Sequence, residues 1–138
     1  MKKEFEYKIF FPNSSPMPSL TFQLSNANGD HAEIIHAGID TGFDGFLVIT
    51  DELYSKLNLS VAKIPKEIAS HGLTATGERV DFNTSFGLIS IGDIVKDLEI
   101  EVDSYKNCLF PLVGRQLLSI FWTFLQGPEN ICSIEIKE

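Results

Sequence analysis

The stretch "AGIDTGFDGFLVIT", residues 37–50, decides how this chain is read. An apolar run, "EIIHAGI", ends on a carboxylate, Asp40, and the chain turns at once through Thr41 and Gly42 toward a second apolar run, "FLVIT". A core strand that stops on a charge either closes an ordinary turn or holds an acid for chemistry. The tripeptide alone serves both purposes, because Asp, Thr and Gly are all common turn residues.

The flanking sequence reads as strands. "LTFQL" alternates Leu20, Phe22 and Leu24 on one face, and Asn28-Gly29 is a hairpin signal. Asp40 therefore closes a β-hairpin. At the N-terminus "EFEYKIF" sets Phe5, Tyr7 and Ile9 against Glu4, Glu6 and Lys8, and the Pro/Ser-rich "PNSSPMPS" breaks this strand from the next. "TDELYSKLNL" is the helix candidate: Thr50 caps it, Asp51 and Glu52 suit its positive end, and Leu53 and Leu57 share a face. Pro65 limits any helix in "VAKIPKEIAS".

Downstream, "IASHGLTATGERVDFNTSFGLISIGD" reads as a long hairpin bending at Thr76-Gly77, with a second turn at Gly92-Asp93. "VKDLEIEV" alternates imperfectly through Val95, Leu98 and Ile100. "NCLFPLVG" runs into one helical turn, "GRQLLS". "IFWTFLQ" and "ICSIEI" close a last hairpin around "GPEN". The expectation is one all-β domain over residues 1–138: about nine short strands in a closed or sandwiched sheet, with one or two short helices.

Composition narrows the function. The 138 residues are 43% hydrophobic and 22% charged, with a formal net charge of −8. Nucleic-acid binding relies on Lys and Arg displacing counterions, and no basic run is present. The N-terminus lacks the apolar run of a signal peptide, and stretches such as "LLSIFWTFL" are too short to span a bilayer. A cytoplasmic protein with no membrane partner is expected. Cys108 and Cys132 are then reduced thiols outside any CxxC spacing, and His31, His36 and His71 have no ligand spacing. No metal or cofactor is expected. Ser119 and Cys108 lack a linked His for nucleophilic catalysis. Phe121, Trp122 and Phe124 read as core or interface residues, and Phe10, Phe11 and Met17 as folding back onto the core.

Carboxylates alone can hydrolyse an amide. One takes a proton from water while the other, protonated, holds the substrate carbonyl. Two carboxyls in contact divide the work this way because both cannot ionise easily, so they share a proton.

Three segments, in order, carry a resemblance: "DTGFDGFLVIT" with its preceding apolar strand, the "HGLTATGERV" hairpin, and "PLVGRQLL" about 70 residues after the first. The sequence resembles the retropepsin-like (retroviral-type) aspartic proteases, and more closely their small prokaryotic Asp-Thr-Gly-Phe group, over roughly residues 20–136. The resemblance implies a small closed all-β barrel, with Asp40 as the catalytic residue. Thr41 joins a hydrogen-bond grip beneath a carboxylate pair, and Gly42 completes the loop. Gly114 lies in a strand crossing behind it, and residues 115–118 form the short helix. The hairpin stands where the family has its flap, so Ser70, Leu73, Thr74 and Ala75 would close over a peptide. Phe43 departs from the small residue usual in the viral enzymes, and the flap lacks their Gly-rich tip.

The chain has one Asp-Thr-Gly and no Asp-Ser-Gly. A complete site then requires a two-fold homodimer that brings both copies of Asp40 to the axis. The expected function is an aspartic endopeptidase acting on a peptide or protein. The alternative is a non-catalytic dimerisation or peptide-binding module with the same barrel, in which Asp-Thr-Gly is a structural loop.

Overall fold

The computed structural model describes residues 6–12, 17–69, 71–73 and 77–137. In chain order the first strands are β1 (Glu6–Pro12), β2 (Ser19–Asn26), β3 (Ala32–Ile39) and β4 (Leu47–Thr50), followed by helix α1 (Asp51–Lys56) and a 3-10 turn (Leu59–Ala62). Then come β5 (His71–Leu73), β6 (Arg79–Asp81), β7 (Asn83–Ile91), β8 (Val95–Tyr105) and β9 (Leu112–Val113). Helix α2 (Arg115–Leu118), β10 (Trp122–Gln126) and β11 (Ile131–Lys137) complete the chain.

Six strands close a barrel in the order β2-β3-β9-β4-β8-β7. The expected alternation forms its lining: Leu20, Phe22 and Leu24 of β2 all face the core, with Ile89, Ile91, Ile100 and Val102 from β7 and β8. The β2–β3 hairpin turns through Gly29 at φ 75, a backbone region that glycine enters without steric cost. Helix α1 starts as the sequence predicts, with the Leu53 amide donating to the Thr50 hydroxyl at 3.2 Å. It stops after six residues, and Leu57 and Leu59 plug the barrel from that side.

Strand β9 is two residues long, yet it joins the two halves of the barrel. It pairs parallel with β3 (Gly38 with Leu112, Ile39 with Val113) and antiparallel with β4 (Leu47 with Val113, Val48 with Leu112). Since β3 and β4 flank Asp40 in sequence, β9 sits directly behind the loop that carries it.

The chain ends pair with each other. β11 lies between β1 and β10, antiparallel to both, with Phe10 opposite Ser133 and Ser133 opposite Phe124. Phe11 turns inward and is buried, whereas Phe10 turns outward and is 54% exposed. The expectation that both pack on the core holds for Phe11 alone, because neighbours on a strand point to opposite faces. Phe121 is likewise buried, while Trp122 and Phe124 share the outer face with Phe10. No helix among the described residues is long and apolar enough to cross a membrane.

Candidate active site

Asp40 follows the last residue of β3, where the sheet ladder must end. Its amide donates to the Val113 carbonyl at 3.0 Å, so β9 holds the residue from behind. The Phe43 amide returns to the Asp40 carbonyl at 3.1 Å and closes a tight turn. One carboxylate oxygen of Asp40 accepts the Gly42 amide at 2.9 Å. This is the local hydrogen bond that makes Asp a good turn former, and it also aims the carboxylate. Gly42 needs no positive φ here. A Cβ on it would stand 3.2 Å from the same Asp40 oxygen, so glycine leaves the carboxylate room.

Beyond Gly42 four consecutive carbonyls are clamped by the residues that open α2. Phe43, Gly45 and Phe46 accept the amides of Arg115 (2.8 Å), Gln116 (3.1 Å) and Gly114 (3.0 Å). Asp44 accepts the Gln116 side-chain amide at 2.9 Å. The first amides of a helix have no partner within it. Here they find the loop, and α2 has no side-chain cap. The approach requires glycine at position 114, because a Cβ would meet the Gly45 carbonyl oxygen at 2.2 Å and that of Phe43 at 2.8 Å.

Thr41, Gly42 and Asp44 are exposed, and Asp40 is partly so. Among the described residues the Thr41 hydroxyl has no hydrogen-bond partner within its own chain. Phe43 turns the other way and packs with Val48, Phe82 and Cys108 in a second small core. Its ring meets Phe82 edge-on, with centroids 6.3 Å apart. The aromatic residue at this position thus anchors the loop. Ser70, Thr74 and Ala75 lie outside the described residues. Leu73 ends β5, paired with Arg79 of β6, and Gly77 in the connection has φ 86. The hairpin bend expected at Thr76-Gly77 therefore has the required glycine conformation at its described member.

The sequence reading missed Asp103, having ended its strand at Val102. Asp103 belongs to β8 and is only 4% exposed. The Thr84 hydroxyl, directly across the β7–β8 ladder, donates to it at 2.6 Å. Burial raises its carboxyl to about 6 against the pull of that hydrogen bond, and the charges of Glu101 and Asp44 add to the rise. Its signal in the sequence is the alternating acids of "EIEVD", which carry a carboxylate into an apolar strand. No group of three His, Cys, Asp or Glu among the described residues could hold a metal ion. Cys108 and Cys132 are both buried free thiols.

No protein-family model matches the sequence, and no curated protein does. Among solved structures the chain is similar to EIAV protease complexed with the inhibitor HBY-793, with a TM-score of 0.55 at 18% sequence identity. The match covers 78% of this chain and 89% of that one. The fold is retropepsin-like: a small closed barrel, mostly β, with few short helices.

Two predictions follow from the loop and its neighbour. Gly114→Ala forces the clamp apart and should cost about 1–3 kcal/mol, the usual penalty for overpacking. It should lower the denaturant midpoint well beyond Gln116→Ala, which removes a single hydrogen bond; equal midpoints would refute the clamp. Asp103 binds its proton more tightly folded than unfolded, so folding stability should fall as pH rises from about 4 through about 6. At about 1.4 kcal/mol per decade the full effect approaches roughly 3 kcal/mol. Asp103→Asn should flatten this slope in urea titrations at pH 4.5 and 7.5; parallel pH dependence in the two proteins would contradict it.

Proposed function

We propose that this protein is an aspartic endopeptidase of the small prokaryotic Asp-Thr-Gly-Phe kind, acting as a homodimer on peptides or proteins in the cytoplasm. The observation that carries this reading is the Asp40 loop. A carboxylate is aimed by the Gly42 amide, held from behind by β9, and followed by four clamped carbonyls. An ordinary surface turn has no need of such bracing, whereas a carboxylate that must meet a partner gains from being fixed in advance.

One chain supplies one such acid. In the dimer two Asp40 carboxyls meet at the two-fold axis with a water and one shared proton between them. The ionised carboxylate takes a proton from the water as its oxygen attacks the peptide carbonyl. The protonated carboxyl donates to the carbonyl oxygen as charge develops there. Collapse of the tetrahedral intermediate breaks the C–N bond, and a proton passes to the leaving nitrogen. The exposed Thr41 hydroxyl is available to the partner loop. The β5–β6 hairpin supplies a cover that excludes water and offers backbone groups to an extended substrate.

The non-catalytic module has one observation in its favour: the bond from the Gly42 amide to Asp40 also suits a purely structural turn. Asp40→Asn separates the two readings. Asparagine keeps an oxygen for the Gly42 amide, so fold and dimer should persist, but it can neither take nor share the proton. Cleavage of a peptide mixture, read by mass spectrometry, should drop by at least about a thousandfold, with the sedimentation coefficient unchanged. Undiminished turnover in this variant, or a wild-type chain that sediments as a monomer at micromolar concentration, would reject the peptidase.

A further inference from the structure

A pocket of about 320 Å³ opens beside the loop, at the small end of the range for ligand sites and suited to one side chain. Phe43, Asp44 and Gly45 form one wall. Ala69 and Phe82, at the two feet of the β5–β6 hairpin, adjoin it, with the Phe82 ring in edge-on contact with Phe43. Its floor is β8, through Glu101 and Asp103, and Gln116 closes one end. The pocket therefore lies where the Asp40 loop meets the base of the hairpin that would cover a substrate. Asp44 is four residues from Asp40, at most about 14 Å along an extended chain. A peptide side chain in the pocket would belong to a residue within about four of the bond presented to Asp40.

The lining is acidic without compensation. Three carboxylates face it, and among the described residues no Lys or Arg contributes to its walls. Asp103 supplies the independent pointer to a ligand. It is almost wholly buried, and Thr84 occupies only its Oδ1. The other oxygen, Oδ2, lies on the Gly45 side of the pocket, where even a glycine-borne Cβ would come within 3.3 Å of it. Among the described residues no hydrogen bond reaches that oxygen, and it is not one of the fully buried unpaired atoms, so it opens onto the pocket. A mostly buried carboxylate with one oxygen open to a pocket makes a strong, charge-assisted hydrogen bond with an incoming cation that has hydrogens to give. The carboxylates do not converge on a point suited to a metal ion. Phe43 and Phe82, in edge-on contact, give the pocket an apolar side suited to the stem of a longer cation, and a guanidinium matches a carboxylate with two parallel hydrogen bonds.

We propose that this pocket receives the cationic side chain of a bound peptide, arginine before lysine, and so makes the site selective for basic substrates. The proposal rests on the peptidase reading for its substrate but not for its chemistry. A neutral side chain of the same length leaves Asp103 without a donor and strips water from Glu101, so it binds more weakly. Glu101 and Asp103 are positioning residues for specificity and take no part in bond cleavage.

The test uses the full-length Asp40→Asn chain, labelled with nitrogen-15, so that no turnover intervenes. N-acetyl-arginine N-methylamide should shift the amide resonances of Phe43, Gly45 and Phe82 at concentrations at least about tenfold below those needed for the norleucine analogue. Glu101→Gln, at a half-buried position, should erase most of that difference without unfolding the protein, and Asp44→Asn should reduce it. Equal titrations by the arginine and norleucine probes would overturn the proposal. So would stronger binding of spermidine than of the arginine probe, which would make the pocket a site for free polyamines. In a separate arm the wild-type chain digests a peptide library. Cleavage with basic residues enriched within four positions of the cut supports the proposal, and cleavage without enrichment overturns it while leaving the peptidase intact. Arginine-selective shifts without any cleavage would instead remove the peptidase reading and support the pocket.

Discussion

Four hydrogen bonds between residues 43–46 and residues 114–116 hold the Asp40 end of this molecule in shape. They solve two problems at once. The first amides of a helix have no partners of their own, and a loop leaving a buried strand has carbonyls to satisfy. Setting one against the other lets α2 be only four residues long and lets the loop be rigid without regular structure. The cost is a fixed glycine at position 114, since any side chain there would occupy the space of the Gly45 carbonyl. The height and direction of Asp40 follow from this clamp and from the Val113 carbonyl behind it.

The loop has two faces with different chemistry. Asp40, Thr41 and Gly42 turn toward solvent. Phe43 turns inward and joins Phe82 and Val48 in a core separate from the barrel interior. Between the two, the chain passes over Asp103, a carboxylate that the fold buries at a cost. Thr84 repays part of it through one short hydrogen bond. An apolar residue of similar size in its place would avoid the cost of burying a charge.

The third layer is the sheet β1-β11-β10. Strand β11 has both edges filled within the chain, so the sheet joins the N- and C-terminal segments of one chain. Its outer face carries Phe10, Trp122 and Phe124. Glu135 lies buried among them, with its carboxylate 3.8 Å from the Lys8 ammonium.

Local features were legible in the sequence because local physics sets them. Alternation in "LTFQL" marked the barrel face, Thr50 marked a helix start, Gly29 and Gly77 marked turns, and Asp-Thr-Gly between two apolar runs marked the loop. Where a charge entered an apolar alternation, or two apolar residues stood side by side, the reading stopped short. It ended a strand one residue before Asp103, and it treated Phe10 and Phe11 alike although a strand must send them opposite ways. The sequence by itself determined that an acid would stand at a strand-to-turn junction in a small all-β protein. Only the tertiary structure decided what stands around it. Strand β9 inserts between β3 and β4, more than sixty residues earlier in the chain. Glu101 and Asp103 come to lie beside Phe43 and Asp44 in the same way. Such long-range juxtapositions arise from barrel closure, and closure leaves no periodic trace in the order of residues along the chain.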